Sequence, residues 1–137
     1  MVMNKPRLKT AFTIMEIMVV VIILGVIAGF AIPNFSKSIE RTHMTDAINQ
    51  LQAIHSADQI YFARTRAYWP ATAVNDVTAI NTALSTNIIE NGMAYNCSGD
   101  GTSFTCTATR TGSTFVVTVT EAPLSDTNPA CTGACPG

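Results

Sequence analysis

At 137 residues the chain is long enough for one domain with a modest core, and 47% of its residues are apolar against only 12% charged. A formal net charge of −1, with acids scattered singly, excludes a broad basic footprint for nucleic acid. No HExxH, phosphate-binding glycine loop or nucleophile elbow is present, so the chain reads as a non-enzyme with no cofactor. The first element, Met1 to Ala11, carries Lys5, Arg7 and Lys9 and no acid, a bias that holds an N-terminus on the cytoplasmic side of a membrane. Phe12 to Ile32 follows, 21 residues whose one charge is Glu16. As a helix it reaches ~31 Å, against ~30 Å of bilayer hydrocarbon. A carboxylate at membrane depth costs free energy and marks a functional site.

The sequence Thr10-Ala11-Phe12-Thr13-Ile14-Met15-Glu16, with the apolar run behind it, resembles the class III signal of type IV pilins and type II secretion pseudopilins. In that family a membrane aspartic peptidase cuts ahead of the apolar run and N-methylates the new terminus. The resemblance implies cleavage at Ala11-Phe12, with Ala11 standing where the family usually has Gly, and N-methylation of Phe12. It implies that Glu16 is the assembly glutamate, pairing with the Phe12 amine of a neighbouring subunit. Such an amine is mostly protonated at neutral pH, and buried charge is well attested in setting register. Gly25, Gly29 and Pro33 form the softest part of the helix, where the family resemblance implies local melting on leaving lipid. Thr13-x-x-Glu16 is also a capping-box pattern, in which Glu16 serves only its own helix end. A conventional signal cut after Ala31 and a plain anchor are the remaining readings of this end, and neither explains Glu16.

Past Asn34 the pattern turns amphipathic. Phe35, Ile39, Met44, Ile48, Leu51, Ile54 and Tyr61 recur at three- and four-residue steps between charged and amide side chains, so the helix continues to about residue 69 and stops before Pro70. His43 and His55 lie along it without ligand partners, as solvated or packed side chains. Seven aromatic residues of the first half, Phe12, Phe30, Phe35, Tyr61, Phe62, Tyr68 and Trp69, are read as packing residues in preference to an electron path. Residues 70–93 connect, with one short helix, Asp76 to Leu84, capped by Asn75 or Asp76. Ala94–Cys97, Ser103–Ala108 and Thr114–Thr120 are rich in Thr, Val, Tyr and Phe and are separated by glycine turns, which predicts a three-stranded antiparallel meander. Its apolar face, Tyr95, Phe104, Phe115, Val117 and Val119, is too small to stand alone and should pack on the long helix. Pro123 to Gly137 reads as surface loop.

The expected fold is therefore α+β and pilin-like: residues 1–11 a cleaved leader, 12–33 a transmembrane and assembly half-helix, 34–137 an exported head. Export into an oxidising compartment favours pairing of the four cysteines, for which three connectivities exist. Hairpin geometry favours Cys97 with Cys106, and Cys131 with Cys135 across a short loop; a bond from Cys97 or Cys106 to the tail is the alternative. Zinc is a poor fit to this spacing and compartment. Removing the leader takes three of the eight Lys and Arg, leaving five against nine acids, so the mature head is mildly acidic. Arg64, Arg66 and Arg110 remain as local positive sites. The expected role is a structural subunit of a type IV pilus-like filament, stored in the inner membrane, head in the periplasm, before reaching an extracellular pilus or periplasmic pseudopilus. The family resemblance implies as partners other copies of the chain, the peptidase and methyltransferase, an assembly platform with its ATPase, and lipid. A type II secretion pseudopilin is the nearest alternative, although no acidic cluster resembling the calcium site of major pseudopilins appears near the C-terminus. A secreted binding protein with a conventional signal is the alternative of another class.

Overall fold

The computed structural model describes residues 12–136, with the side chains of residues 31–34 excepted, so residues 1–11, the expected leader, lie outside the described residues. Chain order is α1 (Ile14–Thr65), α2 (Val77–Leu84), β1 (Ala94–Gly99), β2 (Phe104–Thr109), β3 (Phe115–Thr120) and β4 (Ala130–Gly133). The chain divides into two units, Met1–Lys37 and Ser38–Gly137, and α1 runs from the first into the second.

α1 is 52 residues long, far beyond the ~8–20 of an ordinary globular helix. It stops at Thr65, a few residues short of the boundary expected from Pro70. The reason lies in Arg66, whose φ of 63° is left-handed and breaks the helical path while its amide still reaches the Phe62 carbonyl at 2.8 Å. Asp76 caps α2, its carboxylate accepting from the Thr78 amide at 2.9 Å.

The sheet has four strands, not three, in the order β1-β2-β3-β4, every pair antiparallel. β4 corrects the reading of the tail as surface loop: Phe115 pairs with Gly133 and Val117 with Cys131. Four residues of Ala-Cys-Thr-Gly carry little strand propensity of their own. They extend because β3 offers an unpaired edge whose amides and carbonyls need partners. The three expected strands form with shifted ends, β1 reaching Gly99 and β2 starting at Phe104.

Alternation along the strands sends Tyr95, Phe104, Phe115, Val117 and Val119 into the core, where they meet Ala47, Leu51 and Ile54 of α1 and Ile80 and Leu84 of α2. Burying each larger side chain contributes about 1.5–3 kcal/mol, so one face of the helix and one face of the sheet stabilise each other. Cys97 and Cys106 are register partners across β1 and β2, with Cα atoms 4.0 Å apart, and are bonded through their sulfurs within the core. Cys131 of β4 is bonded to Cys135, just beyond the end of that strand. Arg110, in the turn between β2 and β3, forms an ion pair with Glu40 of α1.

Candidate functional site

The N-terminal unit presents an apolar helix surface with no internal partner. From Phe12 to Phe30 its large apolar side chains are all exposed, Phe12 at 75% and Ile14 at 82%. Thr13 caps the helix: its Oγ1 accepts from the Glu16 amide at 3.2 Å, and its carbonyl accepts from the Glu16 and Ile17 amides. Only this half of a capping box forms. Among the described residues the Glu16 carboxylate takes no bond from the Thr13 amide, so its charge is not consumed by its own helix end. The carboxylate stands alone among exposed apolar groups, four residues from the Phe12 backbone nitrogen.

A Cβ built on Gly25 or Gly29 meets nothing within 4 Å, so neither glycine is required by packing inside the chain. α1 is continuous through Pro33, whose side chain lies outside the described residues, as does Ala11. Among the described residues no single helix is long and apolar enough to cross a membrane by itself; Ile14–Phe30 and Phe35–Thr65 meet that condition only as a pair. Ile14 to Phe30 reaches only about 26 Å, and residues 31 and 32 complete the apolar run.

In the second unit, successive polar side chains of α1 hold two connections in place. His55 Nε2 lies 2.9 Å from the Ala122 carbonyl, and Gln59 donates to the Glu121 carbonyl at 3.2 Å. Asp58 Oδ1 accepts from the Trp69 amide at 2.9 Å. Asp58 is fully buried and its second oxygen has no partner. Burial pushes its carboxyl up to about 6, partly offset by the Trp69 bond. Burial, with the Asp46 charge nearby, pushes the Tyr95 hydroxyl up to about 12. Asp100 moves the other way, down to about 2, because the Thr102 hydroxyl and the Ser103 and Thr102 amides all donate to it in an exposed turn.

Asp58 escaped the reading of the sequence, although its signal was present: it follows Leu51 and Ile54 and precedes Tyr61 on the apolar stripe, where an acid is out of place. His55 is packed, as one of the two readings of the histidines had it. Phe62 stacks on Tyr68 with centroids 4.4 Å apart, and Tyr68 meets Phe104 at 5.3 Å. Among the described residues no group of His, Cys, Asp and Glu is arranged to hold a metal ion.

A long N-terminal helix packed through its second half on an antiparallel sheet is the fold of a pilin-like subunit. The chain is 39% identical over 59 residues to type II secretion system core protein G of Vibrio cholerae, covering 43% of this chain and 40% of that protein. It is 39% identical over 63 residues to the type IV major pilin protein PilA of Myxococcus xanthus, covering 46% and 28% respectively. A fimbrial protein of Pseudomonas aeruginosa is 35% identical over 51 residues, 37% of this chain and 33% of its own. The chain thus spans less than half the length of these relatives. No family model and no solved structure matches it. Over the matched stretch the chain is thus similar to type IV pilins and type II secretion pseudopilins, in keeping with its pilin-like fold, and none of the relatives' names denotes an enzyme.

Proposed function

We propose that the protein is a structural subunit of a type IV pilus-like filament. It is made with the leader Met1–Ala11, cut at Ala11-Phe12 and N-methylated at Phe12. It is held in the inner membrane by the apolar helix half and polymerised from there by an ATP-driven platform. The observation that carries this reading is Glu16, a lone carboxylate on a wholly exposed apolar helix whose local capping partner leaves the charge unused. In a bilayer it costs up to ~2.5–3.5 kcal/mol, less near the helix end, and it gains by meeting a cation. The Phe12 amine of an adjacent copy supplies one, and each pairing sets the axial step between two helices. Gly25, Gly29 and Pro33 would let the helix loosen as it exchanges lipid for neighbouring subunits. The head reaches the oxidising side, where the four cysteines pair.

Replacing Glu16 tests the reading. Glu16→Ala and Glu16→Gln make the run more apolar, so insertion and cleavage continue, while fibre yield should fall at least tenfold and processed subunit should accumulate in the inner membrane. Normal assembly of the Gln variant would remove charge pairing as the mechanism. A second reading, a pseudopilin of type II secretion, is favoured by the likeness to the Vibrio protein. Deleting the gene separates the two: loss of surface fibres supports the pilus, and loss of exoprotein release with fibres intact supports the pseudopilus.

A further inference from the structure

Where the chain leaves α1 it makes a tight corner at Tyr68–Pro70, wedged between α1 and the turn joining β1 to β2. The Tyr68 amide donates to the Gly101 carbonyl at 2.8 Å, and the Trp69 amide donates to Asp58 at 2.9 Å. A Cβ on Gly99 would lie 2.6 Å from the Pro70 carbonyl oxygen, so the corner rests backbone against backbone on β1. The Tyr68 ring closes it from the side, stacked on Phe62 and tilted against Phe104. Asp58 is the odd member of this assembly. It is fully buried, it has one donor for two oxygens, and among the described residues the one ion pair joins Arg110 to Glu40, so no cation sits against it.

The titratable groups around it are otherwise engaged or exposed. On α1, His55 faces the Ala122 carbonyl, Tyr61 is half-buried, and Arg64 and Arg66 point to solvent. On the corner, the Tyr68 hydroxyl is directed to Gln59. In the β1–β2 turn, Asp100 is exposed and bonded within its own turn, and after β3, Glu121 contributes its carbonyl to Gln59.

We propose that Asp58 is a proton-operated latch on the Tyr68–Pro70 corner: neutral, it lies in the interior with the corner shut, and ionised, it draws water inward and the corner opens. A neutral acid is far cheaper to bury than a carboxylate with a single donor. The sign follows from linkage. In the shut corner burial raises the carboxyl to about 6, and once opened it returns toward 3.8, so the shut state holds the proton more tightly. Opening is therefore suppressed below about 3.8, grows as pH climbs toward about 6, and levels off above that. The ceiling on the change is the ratio of the two proton affinities, on the order of 100-fold. A subunit head exposed to the medium would thus tighten in acid, opposite to the usual acid loosening of paired carboxylates.

Amide hydrogen exchange of the full chain in detergent micelles between pH 4 and pH 7, corrected for intrinsic exchange, tests this. Protection of the Trp69 amide should be roughly 10- to 100-fold lower at pH 7 than at pH 4, and Asp58→Asn, which keeps the acceptor and loses the charge, should abolish the slope. A flat wild-type profile overturns the proposal. So does a slope that survives in Asp58→Asn, or one that disappears in His55→Gln and thereby belongs to the histidine. Should the Asn variant fail to fold, titration of the Asp58 carboxyl in the wild-type chain by carbon NMR decides the matter: a midpoint near 6 supports the latch and one near 3.8 overturns it.

Discussion

Asn128 ties the connection after β3 to itself with three bonds from one buried amide. Its Nδ2 donates to the Ala122 carbonyl at 2.6 Å and the Thr120 carbonyl at 3.3 Å, and its Oδ1 accepts from the Thr120 amide at 3.1 Å. The Ala122 carbonyl is the same one that faces His55, so the residue links the loop to α1 at one remove. Asn128→Ala would remove the acceptor of the part-buried Thr120 amide and the donor to two carbonyls, and we expect a loss of about 1–2 kcal/mol in urea unfolding of the full chain. Asn128→Asp should recover part of it, because the acceptor for the Thr120 amide remains. Asp58 and Asn128 share a property that hides them in a sequence: what makes each matter is a partner six to eleven residues away, at no regular helix or strand spacing. Glu16 is the opposite case, since its isolation is already visible in the apolar run around it.

Strand β4 owes its conformation to its neighbour. Gly133 has a φ of 88°, and a Cβ there would lie 2.1 Å from the Thr114 carbonyl oxygen, so only glycine lets the chain leave the strand this close to β3. Gly133→Ala should therefore shift or release β4, at a cost of about 1–3 kcal/mol, seen as faster amide exchange at Thr132 and along the outer edge of β3 while β1 and β2 stay protected. A uniform loss of protection through all four strands would mean that β4 is no separate unit. The helical elements differ in kind. The apolar periodicity from Phe35 to Tyr61 marks α1 directly, and only its end moves, because Arg66 adopts a left-handed conformation that no local pattern announces. The pairs Cys97 with Cys106 and Cys131 with Cys135 lie across one hairpin and across the end of one strand, nine and four residues apart, so closeness in the chain already favours them.

For the whole molecule, the expected mature form begins at Phe12 with an N-methyl group, and intact mass with N-terminal peptide analysis checks it. An N-terminus at Ile32 would point to a secreted protein, and one at Met1 to a plain anchor. Non-reducing peptide maps of the same sample should return the two cysteine pairs; closing the Cys97–Cys106 loop is worth about 2–3 kcal/mol to the head, so a reduced sample should unfold at lower urea. What the amino-acid sequence determined by itself is everything written as local pattern: the basic residues ahead of the apolar run, that run with its single acid, the amphipathic continuation, the capped short helix and three alternating strands. These properties depend on residues within a turn or two of one another, so periodicity and spacing express them. Tertiary structure alone decided that Ala130–Gly133 becomes a strand, that Asp58 is buried, that His55 and Gln59 hold a distant loop, and that Asn128 closes that loop on itself. Each of those outcomes depends on an unpaired edge, an excluded solvent or a carbonyl brought close by folding, and such partners have no fixed separation along the chain.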